Sequence, residues 1–129
     1  MPDLYLLFSH TLTSKQIEEA KTRLMIDNII YLPAHLQKIW SNIPAEESID
    51  KDISKFIKYL GENSKSGDYV LVEGDFGATF AVVDWCIVNS RIPIYATTAR
   101  LAKSEGESSF TKMTHYFKHV MFRRYTRYR

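Results

Sequence analysis

The chain has 129 residues, a length that suits one domain rather than two. Hydrophobic residues make up 45% and charged residues 25%, a globular balance that excludes a disordered chain. The single cysteine, Cys86, excludes an internal disulfide framework and a zinc site built from cysteines. The N-terminus lacks a secretory signal, and no apolar run reaches the ~18 residues of a membrane span. We therefore expect a cytoplasmic protein without a membrane partner.

The net charge of +2 conceals two regions of opposite charge. Residues 1–90 hold 8 Lys and Arg against 13 Asp and Glu, which gives −5. Residues 91–129 hold 9 against 2, which gives +7. A basic C-terminal third is typical of a chain that binds a polyanion, although a solvated basic tail produces the same pattern.

Strands and helices are predicted to alternate along the first three quarters of the chain. Residues 4–8 form a continuous apolar run, the pattern of a strand buried on both faces of a parallel sheet. Thr13 and Gln16 have the spacing of a capping box, so a helix should begin there. Its apolar face would consist of Ile17, Ala20 and Leu24. The later elements are a strand over 28–32, a short helix over 34–43, an amphipathic helix over 49–60 ended by Gly61, a strand over 69–72, a helix from about residue 77 and a strand over 92–96.

This alternation predicts an α/β fold with a mainly parallel sheet and helices on both faces. After residue 98 the pattern changes, because residues 104–108 have turn composition between two segments rich in aromatics and Thr. We expect a C-terminal β-hairpin there, in a register that its imperfect alternation leaves open. The whole chain, 1–129, would be one domain with an α/β body over 1–98 and a basic hairpin and tail over 99–129.

Three polar or glycine-rich segments follow the predicted strands. They are Ser9-His10, Gly74 to Thr79, and Thr97-Thr98. Because an open parallel sheet binds its ligands beyond the carboxyl ends of its strands, these segments are the candidate site. The middle one is a strand-to-helix turn, and the helix that follows offers free N–H groups to an anion. It has neither the Walker A ending nor the spacing of the dinucleotide fingerprint.

Individual residues of these segments have two interpretations each. Asp75 would contact a ligand or only cap the following helix, and Phe76 would stack on a base or only pack. His10 lies at the ligand edge, where an imidazole serves as a general acid or base, or is a structural histidine. His115 and His119 lie on a predicted strand, about 13 Å apart, so we expect no metal site.

The basic residues of the C-terminal third are interleaved with aromatics. They include Arg100, Lys112, Lys118, Arg123, Arg124, Arg127 and Arg129, and the aromatics include Tyr95, Tyr116, Phe117, Phe122, Tyr125 and Tyr128. Cations neutralise phosphates and aromatic rings stack on bases. Neither an RNA-recognition-motif signature nor a helix-turn-helix pattern is present. A small or single-stranded nucleotide is therefore the expected partner, and duplex DNA is not.

Several motifs, taken in order, resemble a small family of CRISPR-associated accessory proteins found beside type III loci. They are Phe8-Ser9-His10, Trp40-Ser41-Asn42-Ile43-Pro44, Gly67-Asp68-Tyr69, Gly74-Asp75-Phe76-Gly77-Ala78-Thr79, Tyr95-Ala96-Thr97-Thr98 and the closing His119-Val120-x-Phe122-Arg123-x-Tyr125. The resemblance covers roughly residues 3–125. Glu73 departs from it, since the family is expected to have an amide side chain there.

The resemblance implies a Rossmann-like fold related to the CARF domain, a homodimer and a cyclic oligoadenylate ligand. It further implies a ring nuclease that linearises the messenger, cyclic tetra-adenylate in the first instance, without a cofactor. A two-fold dimer would place two equivalent sheet edges across a ring that one edge cannot surround.

RNA chemistry supplies a metal-independent mechanism, in which a ribose 2′-OH attacks the adjacent phosphorus. We expect Ser9, the Gly77 N–H and Arg100 to hold phosphate, and His10, then His119, to transfer protons. Thr97 and Thr98 would bind the ribose or the adenine edge. The candidate catalytic residues are thus His10, His119 and Arg100, and the ligand-binding set is Ser9, His10, Asp75, Phe76, Gly77, Thr79, Thr97, Thr98, Arg100 and Arg123.

Three other functions fit the same residues. A non-catalytic protein that sequesters the messenger would use the same pocket. A sensor acting on another protein is less compatible with a chain too short for an added effector domain. An unrelated α/β protein that binds linear RNA is the third.

Overall fold

The computed structural model describes residues 1–107 and 110–128, with only the backbone of residues 102–107 and 110–115. Its elements in chain order are β1 (Leu4–Leu7), α1 (Ser14–Thr22), β2 (Ile29–Tyr31), α2 (Ala34–Trp40), α3 (Asp50–Asn63), β3 (Tyr69–Val72), α4 (Phe76–Val88), β4 (Ile92–Glu107) and β5 (Phe110–Arg124). None of the described helices is both long enough and apolar enough to cross a bilayer.

The strands form one five-stranded sheet in the order β2-β1-β3-β4-β5. The first four strands are parallel, and β5 pairs with β4 in the antiparallel direction. All four residues of β1 and of β3 are buried, as expected for central strands covered on both faces. The predicted α/β class, the mainly parallel sheet and the C-terminal antiparallel hairpin are confirmed.

The two faces of the sheet bury separate apolar cores. On one face, α1 contributes Ala20 to a core built on alternate strand residues such as Leu6, Leu71 and Ile94. On the other face, α2, α3 and α4 supply larger side chains, which include Trp40, Phe56, Leu60 and Val82. Helices therefore lie on both faces, as predicted, but only α1 covers the first.

Two details of the helices differ from the predictions. Gly61 does not end its helix, because α3 runs to Asn63 and a Cβ at Gly61 would meet Trp85 only at 3.7 Å, an ordinary contact. In α1 the capping box between Thr13 and Gln16 is confirmed. However, Ile17 of the predicted apolar face is 40% exposed. The neighbouring Gln16 is buried instead, with its amide side chain turned towards the protein.

The fourth strand continues past residue 96 instead of ending there. Residues 98–107 of β4 pair with 110–119 of β5, and these segments, called the ribbon below, extend beyond the parallel strands. Thr97 pairs with Met121 and Thr98 with His119, so Val120 is the extra residue of a β-bulge. Thr97 and Thr98 consequently lie within a strand and not in a loop after it, which corrects the prediction.

Candidate functional site at the carboxyl edge of the sheet

The site lies where the direction of the chain across the sheet reverses. From β1 the chain passes through α1 to β2 at one side, whereas from β3 it passes through α4 to β4 at the other. The loops after β1 and β3 therefore diverge above the carboxyl ends of two adjacent parallel strands. Such a switch point leaves an open crevice between the loops, which is where α/β proteins bind ligands.

Glu73 follows the central strand β3 at this edge. Its Oε1 accepts a hydrogen bond from the Ala96 N–H at 3.3 Å, which ties the carboxyl group to β4. Burial raises the pKa of Glu73, and the Ala96 hydrogen bond and the charges of His119 and His10 only partly oppose this effect. Glu73 is thus a half-buried carboxyl group with a raised pKa at the carboxyl end of β3.

Gly74 is needed because Trp40 lies against the backbone here. A Cβ at Gly74 would lie 2.9 Å from three atoms of the Trp40 ring. Trp40 is 2% exposed, and its Nε1–H donates to the Glu73 carbonyl at 3.0 Å. The loop after β3 is therefore held in place by a ring that cannot move away.

The next residues begin α4. Asp75 is the N-cap, and its Oδ2 accepts from the Ala78 N–H at 3.0 Å, so the capping interpretation is confirmed. Phe76 is 94% exposed, so its ring does not pack against other residues of the same chain. Gly77 is exposed in the first turn. The Thr79 hydroxyl oxygen is buried and has no hydrogen-bond partner among the described residues, so it is not exposed to a ligand.

The loop after β1 carries Ser9 and His10. Both line a groove of about 320 Å³ with residues of β2 and α2. Ser41 Oγ donates to Ser9 Oγ at 3.2 Å, which fixes this side of the loop to α2. His10 is exposed, and its ring meets the Phe8 ring edge to face at 5.4 Å. Of the predicted catalytic histidines, this one has a side chain open to solvent.

His119 is instead enclosed between β5 and α1. Its side chain is 7% exposed, its Nε2 lies 2.6 Å from Glu19 Oε1, and its Nδ1 lies 3.5 Å from Gln16 Nε2. The bulge at Val120 puts His119 on the same face as Phe122, whose ring centre is 4.9 Å away. Since both ring nitrogens are engaged within the chain, His119 is suited to positioning and not to proton transfer.

Glu19 is the centre of this contact between α1 and β5. It accepts hydrogen bonds from the Phe122 N–H (2.9 and 3.1 Å) and from Arg23, as well as lying against His119. Burial alone would raise the pKa of Glu19, but the hydrogen bonds from His119, Phe122 and Arg23 outweigh it and lower this pKa.

The remaining predicted residues lie apart from the crevice. Thr97 Oγ1 donates to the Met121 carbonyl at 2.8 Å and is therefore occupied at the bulge. Thr98 is exposed opposite His119, and Arg100 pairs with Phe117 on the ribbon. Arg100 is four residues beyond Ala96, about 13 Å along an extended strand. The structure does not bring Arg100 to the loops after β1 and β3.

Arg123 lies on the face of the sheet opposite to the one that carries His119 and Phe122. Its guanidinium group stacks over the Tyr95 ring at 4.9 Å and donates to the Tyr95 hydroxyl. Tyr95 in turn packs against Tyr125, whose hydroxyl donates to the Val72 carbonyl at 2.6 Å. Burial raises the pKa of Tyr125 to about 12, so it remains a neutral donor. Arg123 is held by an aromatic pair and not by the site.

Two residues important to the site were missing from the predicted set. Neither Glu73 nor Glu19 belongs to the site residues predicted from the sequence. The sequence does mark Glu73, because it follows a fully apolar strand directly. Burying a carboxylate there costs free energy unless the group is functional or hydrogen-bonded. Nothing local marks Glu19, because its partners are about 100 residues away. Among the described residues, no cluster of three or more His, Cys, Asp or Glu has the geometry of a metal site.

The fold and this edge define a small α/β protein with a mainly parallel sheet, a topological switch point between β1 and β3, and an antiparallel ribbon that extends beyond the parallel strands. A family model described as "Uncharacterized protein MJ1673 family" matches residues 2–123, and the chain belongs to this family. It is 44% identical over 129 residues to "Uncharacterized protein MJ1673" of Methanocaldococcus jannaschii, an alignment that covers 99% of this chain and 100% of the relative. No solved structure matches.

Proposed function

We propose that this protein is a ring nuclease that binds cyclic oligoadenylate, in the first instance cyclic tetra-adenylate, and linearises it in type III CRISPR signalling. The fold would then be a Rossmann-like one related to the CARF domain, and the working unit a homodimer. The observation that carries the proposal is that exposed His10 and half-buried Glu73 follow two adjacent parallel strands, β1 and β3, at the switch point. Resemblance of the flanking motifs supplies the identity of the ligand.

The chemistry needs two proton transfers and no metal. His10 takes the proton of a ribose 2′-OH as its oxygen attacks the adjacent phosphorus. The bond from phosphorus to the 5′-oxygen breaks, and the leaving oxygen receives a proton from the protonated form of Glu73. The products are a 2′,3′-cyclic phosphate and a 5′-OH. The raised pKa of Glu73 suits this role, because the carboxyl group keeps its proton to higher pH than an ordinary one.

Binding would use the groups around these two residues. The exposed first turn of α4 offers the Gly77 N–H to a phosphate, and Ser9 offers a hydroxyl from the other loop. Arg100 and Thr98 would contact a ligand only where it extends along the ribbon, which suits a ring shared between two copies.

The test is incubation of the pure protein with cyclic tetra-adenylate and EDTA, followed by chromatography of the products. We expect linear products that end in a 2′,3′-cyclic phosphate, and turnover at least tenfold lower for His10→Ala. The matched control is His35→Ala, since His35 is exposed on α2 but lines a different groove. Complete survival of the ring, or equal loss in both variants, would reject the mechanism.

A non-catalytic binding protein is the second candidate, and the enclosure of His119 favours it. With that ring engaged by Glu19 and Gln16, His10 is the one predicted catalytic histidine open to solvent. Stoichiometric binding of the intact ring by wild type and His10→Ala alike would select this function. Tight binding of linear RNA without binding of the ring would reject both.

A further inference from the structure

Helix α4 is apolar on its outer side as well as on its inner side. Its inner residues, Ala78, Val82 and Cys86, are fully buried against the sheet. A second row, here called the outer seam, consists of Phe76, Phe80, Val83 and Ile87 at spacings of i, i+4, i+7 and i+11. A helix that is apolar all round is normally buried on every side.

In a single chain, Phe76 and Phe80 of the outer seam are exposed to solvent, whereas Val83 and Ile87 are partly buried. Phe76 is 94% exposed and Phe80 is 77% exposed, and Tyr128, fully exposed, lies beside them. A groove of about 520 Å³ runs along the seam between α4 and residues 125–128. Three aromatic rings at 150–250 Å² each give an apolar patch on the order of 500 Å². This is at the upper end of what a monomer exposes without a partner.

The charges of this face fit a protein surface and not a polyanion. Asp84 is the sole charged residue between Phe76 and Val88, and it forms an ion pair with Arg127 at 2.6 Å. A nucleic acid would meet no net positive charge here. A surface that is apolar and locally neutral is complementary to a copy of itself.

We infer that the outer seam is the face on which a second copy of this chain docks, with α4 packed against α4 about a two-fold axis. Two such patches bury about 1,000 Å² together, the lower bound of a specific interface. The heptad-like spacing of the seam is the spacing by which one helix packs along another. Phe76 begins the seam and also borders the crevice, so the dimer sets the two crevices side by side.

This inference rests on the proposed function only in naming the dimer face which that function requires. The observations on α4 that support it are independent of the ligand. A dimer through α4 that binds no cyclic oligoadenylate would leave the face standing and reject the function. A monomer that cleaves the ring would do the reverse.

The experiment is sedimentation velocity and light scattering of wild type, Phe80→Glu and Met25→Glu over a wide concentration range. Met25 is 52% exposed on the loop after α1 and serves as the matched control. We expect wild type and Met25→Glu to be dimers, and dimerisation of Phe80→Glu to weaken by at least about 30-fold. A monomeric wild type, or a dimer that Phe80→Glu leaves intact, overturns the inference.

A second measurement does not depend on a variant. Hydrogen–deuterium exchange of wild type at low and high concentration should show added protection in α4 and residues 125–128 as the dimer forms. If circular dichroism shows that Phe80→Glu is misfolded, this measurement decides. Concentration-dependent protection confined to other elements, or none at all, overturns the inference.

Discussion

Ionising the Glu73 carboxyl group costs more free energy in the folded protein than in the unfolded chain. Its pKa is raised from the ordinary 4.5, mainly by burial, so the folded protein binds this proton more tightly. Below about pH 4.5 the group is neutral in both states and costs nothing. As the pH rises through the raised pKa, the folded state loses stability.

Glu73→Gln should therefore stabilise the protein at neutral pH and have a smaller effect near pH 4. The amide oxygen can still accept from the Ala96 N–H, so the hydrogen bond is retained while the buried charge is removed. Thermal unfolding of both proteins across this pH range is the measurement. A change in Tm of the same size at every pH would show that ionisation plays no part.

Gly74 in the loop after β3 and Gly77 in the first turn of α4 should respond oppositely to substitution by alanine. Gly74→Ala places a Cβ 2.9 Å from Trp40 and should cost about 1–3 kcal/mol, since the buried ring cannot yield. Gly77→Ala meets Asp75 Oδ2 at 3.5 Å and Ile49 Cδ1 at 3.7 Å, which are ordinary contacts. It should stabilise α4 by up to about 1 kcal/mol. Urea denaturation of both variants checks the signs, and destabilisation of equal size would contradict this account.

Residues whose role depends on near neighbours were predictable at this scale. The Thr13 capping box and the Asp75 N-cap follow from spacings of three residues, and both are present. The enclosure of His119 was not predictable, because its partners Gln16 and Glu19 are at the other end of the chain. Arg100 was expected near the crevice because β4 was predicted to end near residue 96, whereas pairing with β5 extends this strand beyond Arg100.

At the scale of elements, Glu19 holds α1 against β5. Its pKa is lowered in the folded state, so its ionised form contributes stability that is present above about pH 4.5. That contribution is lost as the pH falls through the lowered pKa. The sign is opposite to that of Glu73.

Glu19→Gln should cost about 1–3 kcal/mol at neutral pH, because the buried His119 ring and the Phe122 N–H lose a charged acceptor. It should also flatten the loss of stability on acidification. Glu18→Gln is the control, since Glu18 is the exposed neighbour on the same helix. Denaturant unfolding at several pH values measures both effects, and matching profiles for the two variants would exclude this role.

Existence and order of the elements were largely predictable, whereas their ends were not. The buried strands and the amphipathic helix were identified from apolar runs and helical periodicity. The predicted end of α3 at Gly61 is wrong because this glycine keeps a helical conformation. The helix ends instead at Ser64, whose hydroxyl donates to the Leu60 carbonyl at 2.6 Å. The bulge at Val120 was beyond prediction, because it depends on the pairing of β4 with β5.

At the scale of the whole molecule, Cys86 can report global opening. It is fully buried on the inner side of α4, and burial raises the pKa of its thiol to about 12. Because the thiolate is the reactive form, the native protein should resist thiol reagents at pH 8 by at least about 10³-fold relative to the unfolded chain. Rates of labelling across urea concentrations measure this, and rapid modification of the native protein would contradict the described core.

The bulge at Val120 affects the direction of the ribbon but not which side chains lie on each of its faces. Removing Val120 would leave Met121 opposite Thr97 and His119 opposite Thr98, so each side chain would keep its side of the sheet. What the extra residue adds is bend, since a bulge increases local twist and curvature. One residue thus sets the angle at which the ribbon leaves the body, and shortening the chain there would straighten the ribbon and draw His119 away from Glu19.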